Sequence, residues 1–498
     1  MNKMRCHCPF LASLVLCSLA QLQPTHSAED DLLLGDDVIP WEDIGKDFTE
    51  RPAPVTEVIE DLIFETNRNR RELIAEQNRT GQDLDPPQRK TIFGRNPFLG
   101  SGEINPGFES PTGAVWQPAL IIYGTARSAL QTYSNGNEDI SEWANRLDLF
   151  SNLYLTPTER ILLGIRPLDS GGEFAGYRFD GSSGSQGGFN GRIRTLFFEG
   201  DFGELFPNLD PQDTKSLDYG FAIGRMPYSL QDGIMINDSI DAIGITRSSM
   251  FLGNASASRL TGLVAWNEIH RGDNREDRKA NLFGLSYAAD YPKSTYEIDV
   301  AYVDGSRASG GDGLYAGVGQ TRRFGKLSST ARVNFSWALD EETAAVDSGI
   351  LLFSQLSRTM DYNYDIAYLN TFWGIGNYTS AARDPSAGGP VGGVSGLLFE
   401  AVGLGGYGSA LGVRSNDSVA AALGYQHFLN GENSKNQISG EIGGRIALDG
   451  NSRSGGGIAL RYQHALDQHS VLRLDAFGAA YDDGETGGGL RAEWSYQF

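Results

Sequence analysis

Gly489-Leu490-Arg491-Ala492-Glu493-Trp494-Ser495-Tyr496-Gln497-Phe498 is the stretch that decides the fold. Leu490, Ala492, Trp494, Tyr496 and Phe498 alternate with Arg491, Glu493, Ser495 and Gln497, so a two-residue period sends the apolar groups to one face and both charges to the other. A strand built this way needs two different solvents. A half-buried strand of an ordinary sheet gives the same pattern, so the decision rests on whether the chain upstream repeats it.

It does, from Pro118 onward. In Thr330 to Asp340, Ala331, Val333, Phe335, Trp337 and Leu339 oppose Arg332, Asn334 and Ser336. Tyr296, Ile298, Val300 and Tyr302 oppose Glu297 and Asp299, Leu147 and Leu149 oppose Arg146 and Asp148, and Ile442 and Ile446 oppose Glu441 and Arg445. A β-sandwich alternates too, but it rarely exceeds about ten strands. Here strands are predicted near 118–133, 141–155, 159–168, 192–203, 217–227, 236–247, 258–269, 279–291, 294–304, 312–324, 328–340, 349–358, 361–373, 418–428, 437–448, 456–466, 470–481 and 489–498. The fold class is therefore all-β: a transmembrane antiparallel β-barrel of about eighteen strands, with sixteen to twenty as the range. Short connections such as Tyr291-Pro292-Lys293 and Asp467-Gln468-His469 alternate with long ones such as Ser170 to Gly191, as one periplasmic and one external end require. Even parity holds only if Gly374 to Asp417 is one long external connection, since a separate strand at Ser395 to Leu404 makes nineteen.

The ending resembles the terminal strand of Gram-negative outer-membrane β-barrels, which implies that Trp494, Tyr496 and Phe498 are an assembly signal read by the barrel-assembly machinery. Length, strand number and ending together resemble substrate-selective porins and alginate-export-like barrels. Gly224-Arg225-Met226-Pro227-Tyr228 followed by Asp232-Gly233 is similar to a strand-and-loop stretch of the latter. The resemblance covers about Pro118 to Phe498. It implies an outer-membrane location, membrane lipid as surroundings, and a porin for diffusion or export of a small hydrophilic solute, with an exopolysaccharide export pore as the alternative.

The rest of the composition agrees with an exported barrel. The one sizeable apolar run, Pro9 to Leu22, is too short for a spanning helix of roughly 20 residues. With Lys3 and Arg5 before it and small residues at Ala20 and Ala28, it reads as a signal peptide over residues 1–28, with cleavage after Ala20 as the alternative. Cys6, Cys8 and Cys17 all lie inside it, so no disulfide or cysteine metal site is expected in the mature chain. A formal net charge of -22 argues against nucleic acid. Residues 29–117 form a separate acidic, Pro-punctuated segment, in which Val55, Val58, Ile59, Leu62 and Ile63 predict a periplasmic helix over Val55–Asn78. That helix packs on the barrel mouth or serves as a plug or partner-binding segment.

A ring of sixteen to eighteen strands leaves an aqueous lumen. Its wall is expected to carry both signs, with Arg146, Arg332, Arg445, Arg461, Arg473 and Arg491 against Asp148, Glu297, Asp299, Asp365, Glu441 and Glu493. Chemistry is not expected, nor any cofactor or metal. Of the histidines in the barrel region, His270, His427, His464 and His469, none accompanies a Gly-x-Ser-x-Gly turn, and neither Arg271-Gly272-Asp273 nor Asp482-Asp483-Gly484-Glu485 has the context of an adhesive or calcium-binding loop.

The connection Gly374 to Asp417 carries Leu397, Leu398, Phe399, Ala401, Val402 and Leu404, costly to leave in water at about 25 cal/mol per Å². Open backbone cannot face lipid either. It is expected to fold into the barrel and narrow or gate the pore, with Arg383, Asp384 and Glu400 near the constriction; a cap over neighbouring loops is the alternative. Deleting Phe498 is predicted to lower the yield of heat-modifiable barrel in membranes. Normal assembly of the truncated chain would remove the assembly role from this residue.

Overall fold

The computed structural model describes residues 91–94 and 106–498, apart from 171–172, 182–183, 188, 213–215, 361–363, 430–433 and 451. The signal expected over 1–28 and the helix expected over Val55–Asn78 lie outside the described residues. The barrel strands are β1 (Ala119–Ser134), β2 (Asp139–Tyr154), β3 (Arg160–Ile165), β4 (Ile193–Asp201), β5 (Tyr219–Leu230), β6 (Ile236–Met250), β7 (Ala257–Trp266), β8 (Asn281–Tyr291) and β9 (Ser294–Asp304). They continue with β10 (Gly313–Phe324), β11 (Leu327–Ala338), β12 (Gly349–Thr359), β13 (Ile366–Gly376), β14 (Ser418–Phe428), β15 (Asn436–Ala447), β16 (Gly455–Ala465), β17 (Ser470–Tyr481) and β18 (Thr486–Gln497).

Each strand pairs antiparallel with the next, and β18 pairs with β1 from Gly488↔Ser134 to Gln497↔Thr125, so eighteen strands close on themselves. The last residue completes the seam: Phe498 N donates to Gly124 O at 3.1 Å and Gly124 N donates to Phe498 O at 3.0 Å. Closure pairs the first and last strands of the ring, so neither offers an open edge along the seam.

The alternation resolves into an inside-out molecule. On β18, Leu490 is 62% exposed while Arg491 and Glu493 keep 3% and 2%. The same holds around the ring, where Ile245, Leu285, Ile298, Leu423, Ile442 and Ile458 stand exposed and Asp299, Arg332, Asn334, Asn370 and Glu441 are buried. Water outside would make this arrangement unfavourable, whereas hydrocarbon outside makes it the stable one. At the chain end the rings of Trp494, Tyr496 and Phe498 stack in a row, with centroid spacings of 5.9 and 6.1 Å.

Connections after odd-numbered strands share one end of the barrel, the loop end, and those after even-numbered strands the other, the turn end. Asn377 to Asp417 is a single connection; its Leu397–Phe399 is a turn of 3-10 helix, so the nineteenth strand does not form. The long turn-end connection after β4 is ordered locally by a helical turn, Phe202–Leu205, whose N-cap Asp201 accepts from Gly203 N at 2.9 Å. β3 is shorter than predicted; Glu173–Arg178 and Gly184–Gln186, inside the Gly/Ser-rich stretch read as loop, form a hairpin that extends the wall beside β2. β13 begins after Asp365, which therefore leaves the wall: at the turn end its carboxylate accepts from Tyr425 OH at 2.6 Å and Phe428 N at 3.0 Å and faces His427 Nδ1 at 2.7 Å.

An arginine in the middle of the outer band is predicted to cost about 2–4 kcal/mol and one near an end about 0–1 kcal/mol. Leu460→Arg and Leu466→Arg test this in urea titrations of folding into lipid bilayers. Equal costs would mean that the outer face does not meet hydrocarbon.

Candidate functional site

The connection from Asn377 to Asp417 descends into the lumen in two halves. The first is anchored to the short connection between β5 and β6, which also folds inward. Tyr378 and Ser380 hydroxyls donate to Ile234 O at 3.4 and 2.7 Å, and Ala382–Arg383 pairs in parallel with Ile236 and Asn237. Arg383 is buried at this joint, donating to Ser380 Oγ at 3.0 Å, to Ala387 O at 3.2 Å and to Gly233 O. Burial pulls its pKa down to about 10, which leaves it charged at neutral pH. Asp384 caps the next turn through Ser386 N at 2.8 Å and faces Arg194 at 3.2 Å. Burial would raise its pKa, but Arg194 and Ser386 outweigh that and hold it below the ordinary carboxylate value. Arg383 thus secures the base of the connection, and Asp384 faces the lumen wall.

The second half supplies the apolar patch. Leu398 and Phe399 are fully buried, Phe399 edge-on to Phe372 at 5.3 Å, in a cluster with Ala420, Ala422, Ala459 and Ala479. Small inward residues on β14, β16 and β17 are what make room for it. Leu404 and Val402 pack against Ala129, Ala144 and Phe174.

Backbone inside a barrel cannot borrow a sheet, so its polar groups need side-chain partners. The wall charges provide them. Glu441 accepts from Leu397 N at 3.0 Å, Leu398 N at 2.8 Å and Tyr368 OH at 2.7 Å. Gly396 adopts φ +100° directly against that carboxylate, where a side chain would collide with it. Arg146 donates to Gly403 O at 2.9 Å, Gln131 to Leu404 O at 3.1 Å and Arg127 to Val402 O at 3.3 Å, while Glu142 accepts from Gly406 N at 2.5 Å.

Beside this clamp runs a chain of ion pairs across the seam where the barrel closes. Glu400 meets Arg461 at 2.5 Å; Arg461 and Arg491 share Asp475 at 2.7 and 2.9 Å; Glu493 bridges Arg491 and Arg127. On β2, Asp148 holds Arg146 and Arg166, each at 2.7 Å. A second cluster on another arc joins Arg332 to Glu297 at 2.5 Å and to Asp232 at 2.6 Å, with Gln231 donating to Asp299 at 2.6 Å. Of the residues predicted for the wall, Arg461, Arg491 and Glu493 belong to the seam chain with Glu400, and Arg146 and Asp148 pair on β2. Glu297, Asp299 and Arg332 belong to the cluster on the other arc, Glu441 and Arg445 sit against the inserted connection, and Arg473 lies beside Gln463.

Sequence reasoning missed Arg127, Gln131, Glu142, Arg166, Arg194 and the pair Gln231-Asp232. All of these but Gln231 and Asp232 lie in segments predicted as strands, and the period marks Gln131 and Glu142, beside the exposed Leu130 and Trp143, as inward. Nothing in the period reveals that the β5–β6 connection turns inward with them. Arg271 is fully buried and donates to Gly311 O at 2.8 Å, so the Arg-Gly-Asp tripeptide is not presented to a partner. Asp483 is engaged by Arg453 at 2.7 Å.

The geometry defines a closed eighteen-stranded barrel with an inserted connection. Among solved structures, the fold is shared with the outer membrane protein OpdK of Pseudomonas aeruginosa (11% identity, TM-score 0.50, 76% of this chain and 98% of that one). It is shared also with OccAB3 of Acinetobacter baumannii (11%, 0.51, 76% and 99%) and OccK2 (OpdF) of P. aeruginosa (11%, 0.51, 76% and 97%). No protein-family model matches the sequence, and no curated protein matches it. These comparisons lend no support to the alginate-export resemblance.

Hydrogen bonds to a charged group contribute about 1.5–3 kcal/mol each. Glu441→Ala is expected to speed amide exchange at Leu397 and Leu398 at least about tenfold while the strands keep their protection. Unchanged exchange at Leu398 would show that the clamp does not hold the connection.

Proposed function

We propose that this chain is a channel of the Gram-negative outer membrane, exported through its signal peptide, through which small hydrophilic solutes diffuse or are exported. The observation that carries the reading is the inside-out wall: exposed Leu490, Ile458 and Ile442 alternate with buried Arg491, Glu493 and Glu441 on strands of one closed ring. A barrel with apolar groups outside and ion pairs inside separates hydrocarbon from a polar interior, which is what a solute path across a membrane requires. The fold shared with OpdK, itself an outer membrane protein, supports the location.

The inserted connection sets the bore. Glu400 on it and Arg461, Arg491, Arg127 and Arg146 on the facing wall border the narrowest polar passage in this reading, and Asp384 with Arg194 borders it at the other half. The channel is one of hydrophilic solutes because each border group is charged. Purified protein in a planar bilayer is expected to give discrete conductance steps, and excising Gly388 to Gly406 is expected to enlarge each step clearly. Absence of steps would end the channel reading; unchanged steps in a folded deletion variant would place the connection outside the permeation path.

A further inference from the structure

Most arginines inside the barrel are matched by a carboxylate, and Arg445 is not. It points inward from β15, is 9% exposed, and makes no salt bridge with a described residue; the carboxylate that acts on it, from a distance, is Asp449 in the connection after β15. Its Nε carries no hydrogen bond, and its Nη1 reaches only Leu411 O, at a long 3.4 Å. Arg383 also lacks a carboxylate, but three oxygens saturate it. A buried guanidinium left short of acceptors is costly, and its remaining donors call for a partner that the protein itself does not supply.

Arg445 borders a cavity of about 430 Å³ at the loop end, between the second half of the inserted connection and the wall of β1 and β15–β17. In a chain of net charge -22, its lining contains two arginines and not one Asp or Glu. The second arginine, Arg453, is already committed: it lies 3.6 Å over the Tyr481 ring and reaches Asp483 at 2.9 Å. Tyr133, Tyr407 and Tyr481 supply an aromatic side. Along the other side runs Gly408-Ser409-Ala410-Leu411-Gly412, in which the amides of Gly408, Ser409, Ala410 and Gly412 donate to no described residue. Gly412 has φ +84°, and a Cβ on it would lie 2.9 Å from Arg445 Nη1, so only glycine brings this backbone against the guanidinium without displacing it.

We propose that this cavity is a binding subsite for a tetrahedral oxyanion, a phosphoryl or sulfuryl group on a small solute, held by Arg445 and the amides of Gly408, Ser409, Ala410 and Gly412. The tyrosine faces take the remainder of the solute. A carboxylate offers about four acceptor sites in one plane, fewer than the fork of one guanidinium and four amides present from another direction. A phosphoryl group turns three oxygens in three directions and matches concave runs of backbone N–H. The subsite deepens the channel reading, since it lies at the loop-end entrance, but binding does not require conduction.

Calorimetry on the detergent-purified full barrel tests it with inorganic phosphate, sulfate and acetate as probes. Phosphate and sulfate are expected to bind, acetate at least about tenfold more weakly, and Arg445→Gln to weaken phosphate at least about tenfold, a loss of about 1.4 kcal/mol. Heat-modifiability checks that the variant folds; where Arg445→Gln does not, Gly412→Ala is expected to give the same weakening by displacing the guanidinium. No phosphate binding by the wild type, equal binding of acetate, or wild-type affinity in the folded variants would overturn the proposal. Conductance steps in potassium chloride report on the channel separately, so a channel without phosphate binding refutes the subsite alone, and phosphate binding without steps refutes the channel alone.

Discussion

A backbone amide that faces hydrocarbon must find its acceptor within the chain, because nothing in the lipid can supply one. That requirement explains the closure of β18 onto β1 and the two hydrogen bonds by which Phe498 finishes the seam at Gly124. It also explains why an apolar connection cannot lie against the outer face. Leu397 to Leu404 has only the interior to go to, and once inside it meets the same requirement in a second form.

The interior answers with side chains. Glu441, Glu142, Arg146, Arg127 and Gln131 each meet a backbone group of the inserted connection. Charges that alternation marks only as inward thus do two jobs in one place: some hold the connection, and others pair along the wall as Arg461, Asp475, Arg491 and Glu493 do. Small residues at Ala420, Ala422, Ala459 and Ala479 make the complementary space. Electrostatic ties and apolar packing therefore hold the inserted connection together.

Much of the fold was legible because strand period and lipid exposure are local properties. Every predicted strand has its counterpart within a few residues, and Asn377 to Asp417 is the single connection that parity demanded. The exceptions have physical causes. Asp365 falls within the strand predicted over 361–373, whereas hydrogen bonds accepted from Tyr425 OH and Phe428 N hold it at the turn. The hairpin at Glu173–Arg178 and Gly184–Gln186 was hidden by glycine and serine, whose low strand propensity is overridden by the open edge of β2.

The sequence by itself determined that alternating strands close into a barrel of about eighteen, that Leu490 and Arg491 face different surroundings, and that the apolar stretch after Gly396 needs burial. Period two is enough for that, since it acts between neighbours along the chain. Only the tertiary structure decided which charges meet. Arg461 finds Glu400 and Asp475, Arg332 finds Asp232, and Arg445 reaches only Leu411 O among the described residues. Those encounters depend on strand register, on the level each residue reaches around the ring and on loops turning inward, and none of these distances is carried by the order of residues along a single strand.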